Sequence, residues 1–183
     1  FIIACFVCSN AAAAELRVSP LFCDHAVLQR DMPVPVWGTS DPAATVVVSF
    51  AGHRAEATAD ANGRWKATLP VLNASAHPSE MTVQSGESTL VIRDILVGDL
   101  WLCSGQSNMS FALNRANDAE REISSAAHPL IRLFDVPRVP AESPRRTVNA
   151  KWTACTPETV KMFSAVAYFF GRERELKRLG LLL

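Results

Sequence analysis

The stretch that decides the architecture is Val97-Gly98-Asp99-Leu100-Trp101-Leu102-Cys103-Ser104-Gly105-Gln106-Ser107-Asn108-Met109. An apolar run from Ile95 to Cys103 stops on a cluster of small and amide residues. A strand this apolar is expected to be covered on both faces, as in a parallel sheet. A small-residue turn at its end is how an α/β enzyme presents a nucleophile at the carboxyl edge of the sheet. Gly105 is expected to allow the bend, and Ser107 to project from it among backbone N–H groups. A serine hydroxyl attacks well only with a base in hydrogen-bond reach and with N–H groups placed to hold the oxyanion. The G-x-S-x-G elbow is absent, because Met109 rather than glycine stands two residues after Ser107. Ser and Asn are also ordinary turn residues, so the chemistry of this stretch alone favours a plain turn.

Upstream, from Leu16 to about Ile95, the pattern is all β. Pro33-Val34-Pro35-Val36-Trp37-Gly38 reads as an extended, edge-like segment, because proline cannot donate to a central ladder. Thr39-Ser40-Asp41-Pro42 is a turn, Thr45 to Phe50 is β-branched and apolar, and Ala51-Gly52 reverses the chain into the alternating segment His53 to Ala59. Asn62-Gly63, ahead of Arg64 to Leu69, offers the φ > 0 positions of a tight hairpin. Met81 to Gln84 and Ser88 to Ile92 form another hairpin around Ser85-Gly86-Glu87. Short strands at this spacing predict a small all-β sandwich over residues 15–95.

Downstream the signal changes. Asn117 to Ala127 has helical composition and stops before His128-Pro129, and Ile131 to Phe134 is a short strand. Val136 to Val148 is a loop rich in Pro and Arg, and Lys151-Trp152-Thr153 is extended. Thr156-Pro157-Glu158 opens a helix expected to run to about Leu179, with proline near its first turn and Gly180 as the stop. Its apolar face comprises Val160, Phe163, Val166, Ala167 and Phe170, turning polar at Arg174 and Lys177. Leu181-Leu182-Leu183 looks like a strand just begun. Alternating strands and helices follow α/β logic, so residues 96–183 are expected to form part of an α/β domain. An incomplete sheet leaves apolar faces bare, which predicts that this stretch made alone is poorly soluble or partly molten in its C-terminal half.

The first residues, FIIACFVCSNAAAAEL, read as the back half of a secretory signal peptide over residues 1–14, with A-x-A cleavage choices before Glu15. A secreted or periplasmic location is therefore expected. Ile2-Ile3-Ala4-Cys5 is similar to a lipoprotein cleavage box, but little hydrophobic sequence precedes Cys5. Beyond the signal, Cys23, Cys103 and Cys155 remain, an odd number without C-x-x-C or histidine at ligand spacing, which reads as buried free thiols with at most one disulfide rather than a metal site. Past the leader, no apolar run approaches the ~20 residues that span a bilayer. Apolar residues make up 49% of the chain and charged ones 20%, as in a globular protein. The 18 basic and 18 acidic residues balance, and Pro144-Arg145-Arg146 reads as a solvated loop, so neither nucleic acid nor an anionic membrane is an expected partner.

Residues 97–109 resemble the nucleophile block of the sialate O-acetylesterase family, within the SGNH hydrolases. Two further stretches agree with it. Leu21-Phe22-Cys23-Asp24-His25-Ala26-Val27-Leu28-Gln29-Arg30-Asp31, followed by Pro33-Val34-Pro35-Val36-Trp37-Gly38, is similar to that family's opening β-domain. Phe163-Ser164-Ala165-Val166-Ala167-Tyr168-Phe169-Phe170-Gly171-Arg172-Glu173 is similar to the helix after the second strand of its hydrolase domain. The resemblance implies an N-terminal fragment, with a β-sandwich followed by an incomplete α/β/α SGNH-type (flavodoxin-like) hydrolase domain over 96–183. It implies Ser107 as the catalytic nucleophile, the Ser107 backbone N–H in the oxyanion hole, and Gly105, Gln106 and Asn108 as residues that order the turn. It implies an O-acetylated carbohydrate as substrate, and neither cofactor nor metal.

Members of the family take a glycine N–H, an asparagine side chain and a base in Asp-x-x-His from later blocks. None of these stands here: His25, His53, His77 and His128 all lie outside such a motif. His53, His77 and His128 read as surface or turn residues and His25 as packing in the β-domain. This stretch by itself is therefore expected to hydrolyse poorly, since loss of triad members costs several powers of ten. Two other readings stand beside the sialate esterase. One is an esterase of acetylated xylan or another plant polysaccharide, and the other a non-catalytic carbohydrate-binding module displaying Trp37 or Trp65.

Overall fold

The structure is a computed structural model and describes residues 15–145 and 147–177. The signal-like segment 1–14, Gly180 and the leucines at 181–183 lie outside the described residues. The chain is mostly β-strand. Strands β1 (Arg17–Val18), β2 (Val27–Gln29), β3 (Pro33–Thr39), β4 (Thr45–Phe50), β5 (His53–Thr58), β6 (Arg64–Val71), β7 (Ser75–Ser85) and β8 (Ser88–Gly98) come first. They form one sheet of order β1-β3-β6 and another of order β2-β8-β7-β4-β5. Alternation explains the packing, because every second side chain of a strand faces the same way. Val34 and Val36 of β3, Trp65, Ala67 and Leu69 of β6, Val46, Val48 and Phe50 of β4, and Met81 and Val83 of β7 all point into one shared core.

The turns follow from backbone conformation. Ala51 and Gly52 both take positive φ, 48° and 79°, and close the two-residue β4–β5 hairpin as expected. The β7–β8 hairpin turns at Gly86, also at positive φ, and its strands run longer than the sequence suggests. Asn62-Gly63 does not close a hairpin. The chain turns there, with the Asp60 carboxylate accepting from the N–H groups of Asn62 and Arg64 at 2.8 Å each, and passes from one sheet to the other. The proline-bearing β3 is flanked on both sides, yet β1 pairs only with Gly38 and Thr39. Pro33 and Pro35 therefore meet a neighbour on one side alone, which satisfies the constraint read from the sequence.

The apolar run 95–103 proves to be two things. Its first part is the end of β8, antiparallel to β7 and parallel to β2, and the strand stops at Gly98. Residues 99–105 leave the sheet without regular structure. Beyond them lie the 3₁₀ turn Leu113–Arg115, α1 (Ala119–Ser124), β9 (His128–Phe134), β10 (Trp152–Cys155), α2 (Pro157–Val160) and α3 (Ala165–Lys177). β9 pairs antiparallel with β10, where a parallel partner was expected. Phe134 and Trp152 join the first core, while Ile131, Leu133, Cys155, Phe163 and Tyr168 form a second one with Leu113. The Trp152 indole N–H also donates to the Leu21 carbonyl at 2.9 Å, tying β10 to the chain ahead of β2.

The helix expected over 157–179 is two helices. Thr156 caps α2 through a reciprocal bond with Thr159, with Pro157 at the first position. The helix then ends because its next carbonyls are used elsewhere: Lys161 accepts from Asn114 N–H and Phe163 from Leu113 N–H, each at 3.0 Å. The Ser164 hydroxyl accepts the Ala167 N–H at 3.3 Å and so caps α3.

Candidate functional site

The loop that carries Ser107 is held at its start by β2. Arg30 donates from Nε and Nη2 to the Asp99 carboxylate at 2.7 and 3.2 Å, and Gln29 Oε1 accepts the Leu100 N–H at 2.9 Å. Asp99 in turn raises the Arg30 guanidinium further above its ordinary range, through the hydrogen bonds first and charge second. Trp101 lies edge-on to Phe170 of α3 at 5.1 Å between ring centroids, with the Arg174 guanidinium over its ring at 5.2 Å. At the far end, Ala112 bridges Ser164, and Ala165 N–H donates to the Phe111 carbonyl at 2.8 Å.

Between these anchors the chain makes a compact turn. Ser110 N–H donates to the Gln106 carbonyl and Phe111 N–H to the Asn108 carbonyl, each at 3.2 Å, and the Ser110 hydroxyl donates to the Ser107 carbonyl at 3.1 Å. Ser107 is exposed within it, as are Gln106 and Asn108, whose backbone carbonyls build the turn. Gly105 does not use left-handed φ. Its requirement is space, because a Cβ there would sit 3.2 Å from Cβ of Met109.

Beside this turn is a cleft of about 270 Å³. Residues 102–106, Met109 and Ser110 form one wall; Phe134, Asp135, Val136 and Arg138 form a second; Phe163, Ser164 and Ala167 close it. Ser107 stands within the turn rather than on the cleft wall. Ser110, Asp135, Arg138 and Ser164 are polar residues of the cleft that sequence reasoning did not single out. Arg138 is an inconspicuous member of the Pro- and Arg-rich loop, and the helix expected across 157–179 hid the cap at Ser164. Cys103 also lines the cleft, and burial pushes its thiol pKa up, so it presents a neutral side chain there.

No histidine lines this cleft. His25 Nδ1 lies 2.5 Å from Asp94 Oδ2, and Asp94 also accepts from the nearly buried Arg132 at 3.0 Å. His128 Nδ1 lies 2.7 Å from Glu175 and its Nε2 3.5 Å from the Tyr168 hydroxyl, so it is half-buried beside the second core rather than free in a surface turn. His53 and His77 are exposed on β5 and β7. A larger hollow of about 730 Å³ lies between Phe22-Cys23-Asp24-His25, Val91 and residues 151–154, on a mostly apolar floor without the Ser107 turn. Of the tryptophans weighed as sugar platforms, Trp65 is only 3% exposed, and Trp37 is half-buried edge-on against Phe22.

No family model matches the chain. Human sialate O-acetylesterase is 29% identical over 182 residues, covering 89% of this chain and 35% of the relative. The sialate O-acetylesterase of Pongo abelii is 30% identical over 182 residues, with the same coverage. A solved carbohydrate acetylesterase from Xanthomonas citri superposes with a TM-score of 0.86 at 40% identity, over 91% of this chain and 39% of that one. The chain thus spans about a third of the length of the curated relatives it matches. Sequence and structure agree along nearly all of the described residues, so over this stretch the chain is similar to the sialate O-acetylesterases and to the Xanthomonas citri carbohydrate acetylesterase.

Proposed function

We propose that this chain forms the opening part of a carbohydrate ester hydrolase that removes O-acetyl groups from sialic acid or a related sugar, with Ser107 as nucleophile. The observation that carries the reading is the exposed Ser107 turn, anchored at both ends and bordering a cleft of about 270 Å³. In this reading Ser107 Oγ attacks the acetyl carbonyl, and the Ser107 backbone N–H supports the oxyanion. The sugar hydroxyl leaves with a proton, and water then releases acetate from the acyl-serine. The base is none of the four histidines, because His25 and His128 are committed to Asp94 and Glu175 and the others sit on outer strands. Residues 15–95 act as a β-sandwich domain and residues 96–183 as the first part of an α/β/α SGNH-type domain, supported by α1 and α3 packed with β9 in the second core. The protein is exported through the leader-like segment 1–14.

The test is acetate release from O-acetylated sialic acid and from a neutral acetylated sugar, by a full-length protein carrying this sequence and by its Ser107→Ala variant. The reading expects release that disappears in the variant, by a factor of ~10⁴ or more. Undiminished release would remove Ser107 from the chemistry. Release from the neutral sugar alone would move the substrate class toward that of the Xanthomonas citri relative, a carbohydrate acetylesterase.

A further inference from the structure

The parallel ladder between β2 and β8 is only three residues long, with Val27 opposite Leu96, Leu28 opposite Val97 and Gln29 opposite Gly98. Polar contacts extend the same register beyond both ends. Ahead of the ladder, the Asp24 carboxylate accepts the Arg93 N–H at 2.7 Å, and His25 meets Asp94. Past it, Arg30 meets Asp99 with two parallel hydrogen bonds. The Arg30 N–H also donates to the Gly98 carbonyl at 2.9 Å, so the pair begins where the ladder's backbone bonds end.

This is where the chain leaves the sheet for the Ser107 turn. The Arg30 side chain is 27% exposed and that of Asp99 18%, so the fork is largely shielded from water, where a bidentate pair is stiff and directional. Gln29 fixes the next residue through Leu100 N–H. Without these contacts the loop would keep Leu100 against the first core, Trp101 against α3 and the bridge at Ala112, but would lose the directional polar bonds at its exit from β8.

We propose that Arg30 and Asp99 are positioning residues for Ser107: their fork sets the angle at which the loop leaves β8 and so the place of the serine hydroxyl at the cleft. This rests on the reading of Ser107 as nucleophile. It places part of the active-site machinery in the β-domain, seventy-seven positions ahead of the serine it serves, by number. The cleft walls at 134–138 and 163–167 hang on other elements, so a loosened fork displaces the nucleophile and the wall at 102–110 while the other walls that would hold substrate stay in place.

The experiment uses a full-length protein carrying this sequence, with Arg30→Gln, Arg30→Lys and Asp99→Asn. A fluorophosphonate taken to end point counts competent serines, and peptide mapping identifies the labelled residue. Kinetics on 4-nitrophenyl acetate and an acetylated sugar are then expressed per labelled site. Arg30→Gln and Asp99→Asn are expected to lower kcat per site ~10–100-fold with KM held within about two-fold, the scale on which small misplacement of a reacting group acts. Arg30→Lys, which keeps the charge but loses the fork, is expected to fall between. Fewer labelled sites at unchanged kcat per site would show that the pair supports folding only and would overturn the proposal. Unchanged sites and unchanged kcat would overturn it too. Should Arg30→Gln and Asp99→Asn fail to fold, Arg30→Lys decides, and full kcat per site there counts against positioning. A wild-type protein whose label maps away from Ser107 removes the nucleophile reading, and this inference with it, before any variant is compared.

Discussion

Cys155 sits 1% exposed at the end of β10, and burial, with Glu175 adding to it, pushes its thiol pKa from the ordinary 9.0 to about 12. Tyr168 beside it is raised as well, chiefly by burial. Both groups hold their protons in the folded chain at pH values where the unfolded chain has released them. The Cys155 contribution is whole below about pH 9, is lost as pH rises toward about 12, and levels off beyond, with Tyr168 adding in the same direction. The thermal midpoint is therefore expected to fall steeply above pH 9, and Cys155→Ala to flatten that fall while lowering the neutral-pH midpoint through the space it leaves. Parallel curves for the two proteins would contradict this account. Of the three cysteines past residue 14, all are free as the sequence suggested, but only Cys155 is buried, while Cys23 and Cys103 are half-buried. The sequence conveyed nothing of Arg30 and Asp99 as partners, because a pair made across a parallel ladder leaves no local pattern.

At the level of elements, close approach sets the sharpest limits. A Cβ at Gly38 would stand 2.0 Å from the Arg17 carbonyl oxygen and 2.7 Å from the Trp65 ring, so β1, β3 and β6 meet at a point that tolerates only glycine. Gly38→Ala is expected to cost about 1–3 kcal/mol by overpacking, read as a lowered urea midpoint. Gly52→Ala, in open space at φ +79°, meets backbone strain alone and is expected to cost about 1–2 kcal/mol. Equal, negligible effects would mean the three strands do not meet as described. The strands were legible because β4 and β6 alternate cleanly between core and solvent. Asn62-Gly63 misled because a turn sequence specifies the turn, not which sheet the next strand joins. The break between α2 and α3 was hidden because its cause, the carbonyls taken by Leu113 and Asn114, lies fifty residues away in sequence.

On the whole molecule, the apolar surface is unevenly spread. Val166 and Phe170 lie one turn apart on α3 at 47% and 39% exposure, Met162 just ahead is 71% exposed, and Leu102, next to the Trp101 that touches Phe170, is 83% exposed. A surface of this kind promotes association. Residues 15–183 made alone are expected to bind a hydrophobic dye and to elute larger than a monomer, and Met162→Lys with Val166→Lys to reduce both. A monodisperse, dye-silent monomer would contradict this. The β-rich half was read from its alternation with few errors. The later part was harder, because the parallel partner expected for β9 is replaced by the antiparallel β10, whose four residues carry little pattern of their own.

The measurement that reaches the central claim most directly is rapid quenching of a full-length protein carrying this sequence during turnover of an acetylated sugar, followed by mapping of the acetyl adduct. The account predicts an acetyl group on the peptide holding Ser107, formed in a burst and absent from Ser107→Ala. An adduct on another residue, or turnover that survives Ser107→Ala, would contradict it.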